Sequence, residues 1–274
     1  MTAELFYVFP RRRRGNTRKS NVPCARQPVE KSDFLMFQQH FDELWPGGPR
    51  FIQREPVFKL GTDAVLLAHF AHAARQKRAV DLGSGGGVLA VLLADRAPSL
   101  QIDCVDIQPE AVALTAENAR LNGFEDHIHP RLADIRALAG VLPAGGYDLA
   151  VANPPYFPVG SGKRAQGGAG DAREEALCTL GELCGAAAYL LTWGGRFALV
   201  HRPERLSELL VAMHTAGIEP KRLRTVALTP VRAPNLILVE GRRGGNPGLT
   251  MEPPLVLQGP DGGESAEIKA IYRR

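Results

Sequence analysis

The chain has 274 residues, enough for one large α/β domain but too few for two full ones. Hydrophobic residues at 45% and aromatics at 7% exclude wholesale disorder. The formal charge of +4 is unevenly placed: residues 1–31 hold eight Lys/Arg against two Glu, so the rest of the chain is near −2. That balance excludes a uniformly basic body, and contact with nucleic acid has to come from a local patch or from the tail.

Residues 1–31, Arg-rich and containing Pro10, Pro23 and Pro28, read as a disordered basic arm, and residues 32–274 as the folded domain. The opening apolar stretch precedes Arg11–Arg14, the reverse of a secretory signal's order. No apolar run reaches the roughly 20 residues that a membrane-spanning helix needs, so a cytoplasmic protein is expected. Segment 44–60 reads as a short hairpin around Pro46-Gly47-Gly48-Pro49, and a helix follows from Thr62, with Thr62 or Asp63 as its cap.

Alternation then begins. Strands are predicted over 79–82, 102–105, 128–132 and 147–152, with helices over 88–95 and 109–122 between them. A longer helix is expected over about 172–191, a fifth strand over 196–201, a helix over 203–215, and two closing strands over 218–228 and 235–241. This order implies a doubly wound, seven-stranded, mostly parallel sheet with an antiparallel edge strand. The Gly/Ser/Ala stretch 160–170 reads as a mobile lid or a plain surface loop. Cys24, Cys104, Cys178 and Cys184 have neither C-x-x-C pairing nor a His at metal spacing, so no metal is expected.

Four anchors carry chemistry. Val80-Asp81-Leu82-Gly83-Ser84-Gly85-Gly86-Gly87 is a strand ending on an acid, then a glycine turn opening a helix, where backbone can approach a ligand closely. The third glycine of a dinucleotide fingerprint would fall at position 88, which is Val, so a dehydrogenase is disfavoured. Asp106 ends the second strand, where a carboxylate can accept both hydroxyls of a ribose; Ile107 follows it. Ala133-Asp134 follow the third strand, in reach of a bound adenine. Asn153-Pro154-Pro155-Tyr156 closes the fourth strand. Its prolines lack N–H donors and fix φ, so the Asn153 side chain and Pro154 carbonyl form a rigid acceptor pair matching the two hydrogens of a planar amine. Tyr156 is suited to stack on a base.

These motifs resemble the Rossmann-like class I methyltransferases that modify amino nitrogens. Gly61-Thr62-Asp63-Ala64-Val65-Leu66-Leu67, the run from Gly195 to Arg205, and Asn235-Leu236-Ile237-Leu238-Val239-Glu240-Gly241 are similar to the bacterial tRNA adenine-N6 methyltransferases acting beside the valine tRNA anticodon. The resemblance covers about residues 34–274 and does not include the Arg-rich arm. It implies S-adenosyl-L-methionine as cofactor, held by Gly61, Thr62, Asp63, Asp81, Gly83, Gly85, Gly87, Asp106, Ile107, Ala133, Asp134 and Asn153. Asn153, Pro154, Pro155 and Tyr156 then serve the acceptor. It also implies a tRNA partner, no membrane, and a monomer or weak dimer.

Arg11–Arg14, Lys19, Lys163, Arg164, Lys221, Arg222 and Arg224 are the candidate phosphate contacts, and Arg173 is placed either to meet phosphate or to pair with a Glu. A protein glutamine amide and the N2 amine of rRNA guanine present similar N–H donors and stay open as acceptors. A cofactor-binding RNA chaperone without activity is the alternative from another class.

Overall fold

The computed structural model describes residues 41–52, 61–156 and 178–274. The basic arm, the 160–170 stretch, and the candidates Lys163, Arg164 and Arg173 lie outside the described residues. Strands β1 (Phe41–Glu43) and β2 (Arg50–Ile52) form the expected antiparallel hairpin. Helix α1 (Thr62–Phe70) follows, then β3 (Arg78–Leu82), α2 (Val88–Arg96), β4 (Gln101–Asp106), α3 (Pro109–Leu121), β5 (Ile128–Leu132) and β6 (Tyr147–Ala152). The second half runs α4 (Leu180–Leu190), β7 (Leu191–His201), α5 (Leu206–Thr215), β8 (Ile218–Ala227), β9 (Leu236–Arg243), β10 (Thr250–Met251), β11 (Leu255–Val256) and α6 (Ala266–Ile271).

The seven long strands lie in the order β8-β9-β7-β6-β3-β4-β5, and β10 and β11 add to β8. All pairings are parallel except those of β9, which runs antiparallel between β7 and β8. The continuous apolar run of β6 follows from burial on both faces. Leu149 and Val151 join one core with α1, α2 and α6, while Ala150 and Ala152 join a second with α4 and α5. Chain continuity carries β3 to β4 on one side, while β6 pairs on the other, which opens a crevice at the carboxyl ends of the central strands.

Two local expectations need adjustment. The cap of α1 is Gly61, with no side-chain cap bond, and Thr62 is already helical. Of the helix expected over about 172–191, residues 172–177 lie outside the described residues; within them α4 starts at Leu180, where Thr179 and Glu182 form a reciprocal capping box, so Cys178 precedes it. After 241, where the sequence pattern predicts no element, Leu255, Ile268, Ile271 and Tyr272 are buried in the same core as α1.

Candidate functional site

The glycine turn after β3 is set by backbone geometry. Gly83, Gly85 and Gly87 have φ of +73°, +53° and +73°. At Gly87 the left-handed conformation coincides with close packing, since a Cβ there would fall 2.7 Å from Thr115 Cγ2. The turn is then fastened from α3. Thr115 Oγ1 donates to the Gly85 carbonyl at 2.8 Å, and Asn118 Nδ2 donates to the Gly86 carbonyl at 2.8 Å. The Asn118 Oδ1 also accepts from Ile52 N–H at 2.8 Å, so one fully buried amide joins the turn to the hairpin. From the next strand, Asp106 Oδ2 accepts from Gly85 N–H at 2.8 Å and Oδ1 accepts from Gln108 N–H at 2.9 Å.

Asp81 lies beneath this turn, 1% exposed. It accepts the Ala90 backbone N–H in the first turn of α2, yet its Oδ2 has no hydrogen-bond partner among the described residues. Burial, and then the neighbouring Asp106 carboxylate, push Asp81 up to about 8. Ser84 Oγ nearby is likewise buried without a partner. A buried acid that keeps its proton beside the Asp106 carboxylate, with one oxygen unpartnered among the described residues, disfavours further anions and is drawn to its charged form by a cationic ligand.

Register sets the remaining geometry. Asp81 is level with Cys104 on one side and Val151 on the other. Two residues further along, Gly83, Asp106 and Asn153 are therefore level at the carboxyl ends of β3, β4 and β6. With neighbouring strands ~4.8 Å apart, Asp106 and Asn153 flank the turn at about 10 Å separation. Asp106 is also level with Leu132, which sets Ala133 and Asp134 just beyond it. Ala133 N–H donates to the Asp106 carbonyl at 3.0 Å. Ile107 and Leu132 expose apolar surface at the same strand ends. The Asp134 carboxylate turns onto Arg136, accepting from its Nε at 3.0 Å and from Nη2 at 2.6 Å, and that guanidinium holds it below the usual carboxylate range.

Around Asn153 the site is built of side chains. The Tyr156 hydroxyl lies 3.0 Å from Asn153 Oδ1 and is also bonded to Asp63 Oδ2. Burial and then the Asp63 carboxylate raise the Tyr156 phenol well above its ordinary range. The Arg202 guanidinium sits 4.9 Å from the Tyr156 ring centroid, and His201 meets the same ring edge-on at 5.7 Å. His201 Nδ1 accepts from Arg202 N–H at 2.7 Å, which puts the ring proton on Nε2, and that buried atom has no partner among the described residues. Burial, then Arg205, lowers His201 to about 4, so the ring is neutral at physiological pH.

Thr115, Asn118, Ser84, His201 and Arg202 are parts of this arrangement to which the sequence reading assigned no role. Lys221, Arg222 and Arg224, expected as phosphate contacts, have partners within the fold, in β9 and in the C-terminal segment. Lys221 donates to the Asn246 carbonyl, Arg222 pairs with Glu240 and Glu252, and Arg224 pairs with Glu267. Among the described residues no group of three or more His, Cys, Asp or Glu is placed to hold a metal ion, and no helix is long and apolar enough to cross a membrane.

The methyltransferase small domain family matches residues 58–213. A Tolumonas auensis protein named tRNA1(Val) (adenine(37)-N6)-methyltransferase is 35% identical over 223 residues, covering 78% of this chain and 88% of its own length. A Yersinia pestis protein of the same name is 32% identical over 199 residues, covering 72% and 71%. Among solved structures, an Agrobacterium tumefaciens protein described as a predicted O-methyltransferase superposes with a TM-score of 0.65 at 19% identity, over 77% of this chain and 96% of that one, a likeness of fold. The chain belongs to the methyltransferase small domain family and to the family of the tRNA1(Val) (adenine(37)-N6)-methyltransferases.

Proposed function

We propose that the chain transfers a methyl group from S-adenosylmethionine to the exocyclic N6 amine of an adenine in tRNA, in the cytoplasm, as a monomer or weak dimer. The observation that carries this is the orphaned Oδ2 of Asp81, buried beside Asp106 under a glycine turn whose Gly83 is level with the Asn153 strand end. A buried acid with one oxygen unpartnered fits a ligand that brings an ammonium and a sulfonium, and fits a pyrophosphate poorly. The names of the relatives that match at 35% and 32% identity support adenine in tRNA as the acceptor.

Asp81 would receive the amino-acid end of the cofactor, the N–H-lined glycine turn its backbone, and Asp106 the ribose hydroxyls. Ile107, Ala133 and Asp134 would border its adenine, with Gly61 and Thr62 closing the opposite wall. Bound there, S-adenosylmethionine supplies a methyl group already activated by its sulfonium. The protein's part is therefore positioning and exclusion of water. The Asn153 Oδ1 and Pro154 carbonyl accept the two N–H hydrogens of the target amine, which turns the nitrogen lone pair out of ring conjugation and toward the donor. Tyr156, with Arg202 over one face, offers its remaining surface to a base splayed from the RNA.

The test is incubation with methyl-labelled S-adenosylmethionine and bulk tRNA, followed by digestion and mass spectrometry of the nucleosides. Label on N6-methyladenosine is expected. Label on a guanosine, or on protein glutamine with none in the tRNA, would overturn the acceptor.

A further inference from the structure

We infer that Asp63 is a positioning residue for the acceptor side: through the Tyr156 hydroxyl it fixes which end of the Asn153 amide faces the incoming amine. This rests on the proposed acceptor chemistry at Asn153.

The Tyr156 oxygen has two neighbours, Asp63 Oδ2 and the Asn153 amide, and a phenol has only one hydrogen to give. A carboxylate is the stronger acceptor, because hydrogen bonds to a charged partner are roughly twice as strong as neutral ones. The hydrogen therefore goes to Asp63, and the Tyr156 oxygen is left as an acceptor toward Asn153. The end of the amide that faces it must then be the NH2, half a turn about the terminal torsion from the arrangement with Oδ1 inward. That turn delivers Oδ1 to the open strand end, where an amine N–H can be accepted. Without Asp63 the phenol hydrogen would go to Asn153 Oδ1, consume the acceptor, and present NH2 to NH2.

The carboxylate is held in its place by local geometry. Asp63 Oδ1 accepts the Ala64 N–H at 2.9 Å. A Cβ at Gly61, whose φ of −101° is ordinary for any residue, would fall 2.2 Å from that same Oδ1. Glycine at 61 thus leaves the space that the Asp63 carboxylate fills, and an alanine there would displace the carboxylate without straining the backbone. Behind it, the Thr62 side chain bonds the Tyr272 hydroxyl, and Tyr272 packs in the α1 core, so the C-terminal helix steadies the turn that carries Asp63.

The experiment measures cofactor affinity and transfer separately in Asp63→Ala, Asp63→Asn, Gly61→Ala, Tyr156→Phe and the Asp63→Ala/Tyr156→Phe double variant. For Asp63→Ala, affinity for S-adenosylmethionine is expected within about threefold of the parent, while kcat at saturating cofactor falls roughly 10- to 100-fold. Asp63→Asn, whose carbonyl still accepts the phenol hydrogen, should recover much of that loss, and Gly61→Ala should reproduce it. In the Tyr156→Phe background, Asp63→Ala should have no further effect. A cofactor affinity weakened more than about tenfold in Asp63→Ala, or losses that add in the double variant, would overturn the inference. If the parent protein transfers nothing to tRNA, the acceptor reading has failed, and the same cycle is read on urea unfolding: coupled single losses support the Asp63–Tyr156–Asn153 link and additive ones overturn it.

Discussion

The two halves of the site are built by different means. On the cofactor side, one stretch of sequence from Asp81 to Gly87 makes a turn whose shape comes from positive-φ glycines and from carbonyls held by Thr115 and Asn118. Its recognition feature is an Asp81 oxygen left without a partner among the described residues. The acceptor side joins distant segments: Asp63, Asn153, Tyr156, His201 and Arg202 come from three stretches of chain and meet through side chains. A binding turn can thus be shaped by its backbone and fastened by a few side chains, whereas aiming a lone pair requires side chains whose polarity is fixed by their neighbours.

Removing the charge on the cofactor side should separate the halves most sharply. Asp81→Asn deletes a carboxylate facing a cation, a loss of about 1.5–3 kcal/mol, so cofactor affinity should fall roughly 10- to 100-fold by calorimetry. The same variant should have the opposite effect on the ligand-free fold. Asp81 is raised from 3.8 to about 8, so between those values the folded chain keeps a proton that the unfolded chain has released. Folding stability therefore falls as pH rises from about 4 through 8 and levels off above. Asparagine removes that slope, and urea melts at pH 8 should show the variant more stable than the parent by on the order of a few kcal/mol. A parent whose stability does not decline across this window would contradict the buried, proton-holding carboxylate.

A smaller effect is expected from the staple between turn and hairpin. Asn118→Ala strips partners from the buried Ile52 N–H and the Gly86 carbonyl, so unfolding free energy should drop by about 2–4 kcal/mol. Cofactor affinity should weaken several-fold while kcat at saturating cofactor holds. A drop confined to kcat would break the division between the halves.

Much of this was legible in advance, and the reasons are specific. Alternating strands and helices, three acids at successive strand ends and the Asn153–Tyr156 run are local patterns, and each lies where it was expected in the sheet. Asn118 and Thr115 were legible but passed over: they are polar residues three apart on the face of α3 that buries Leu114 and Ala119. The Thr179–Glu182 capping box was also in the sequence and would have placed the start of α4. Other features had no local sign. Two-residue strands such as β10 and β11 carry no periodicity. Whether Arg222 and Arg224 meet phosphate or Glu240, Glu252 and Glu267 is decided by residues 18 to 43 positions away. The link from Asp63 to Tyr156 spans 93 positions and is visible only once α1 packs onto the sheet.

The most direct measurement is a single-turnover transfer assay on Asn153→Ala, paired with S-adenosylmethionine affinity on the same protein. The acceptor side should fail alone: transfer to tRNA reduced by roughly 100-fold or more, with affinity within about threefold of the parent. Transfer at the parental rate would contradict the assignment of Asn153 as the group that aims the amine.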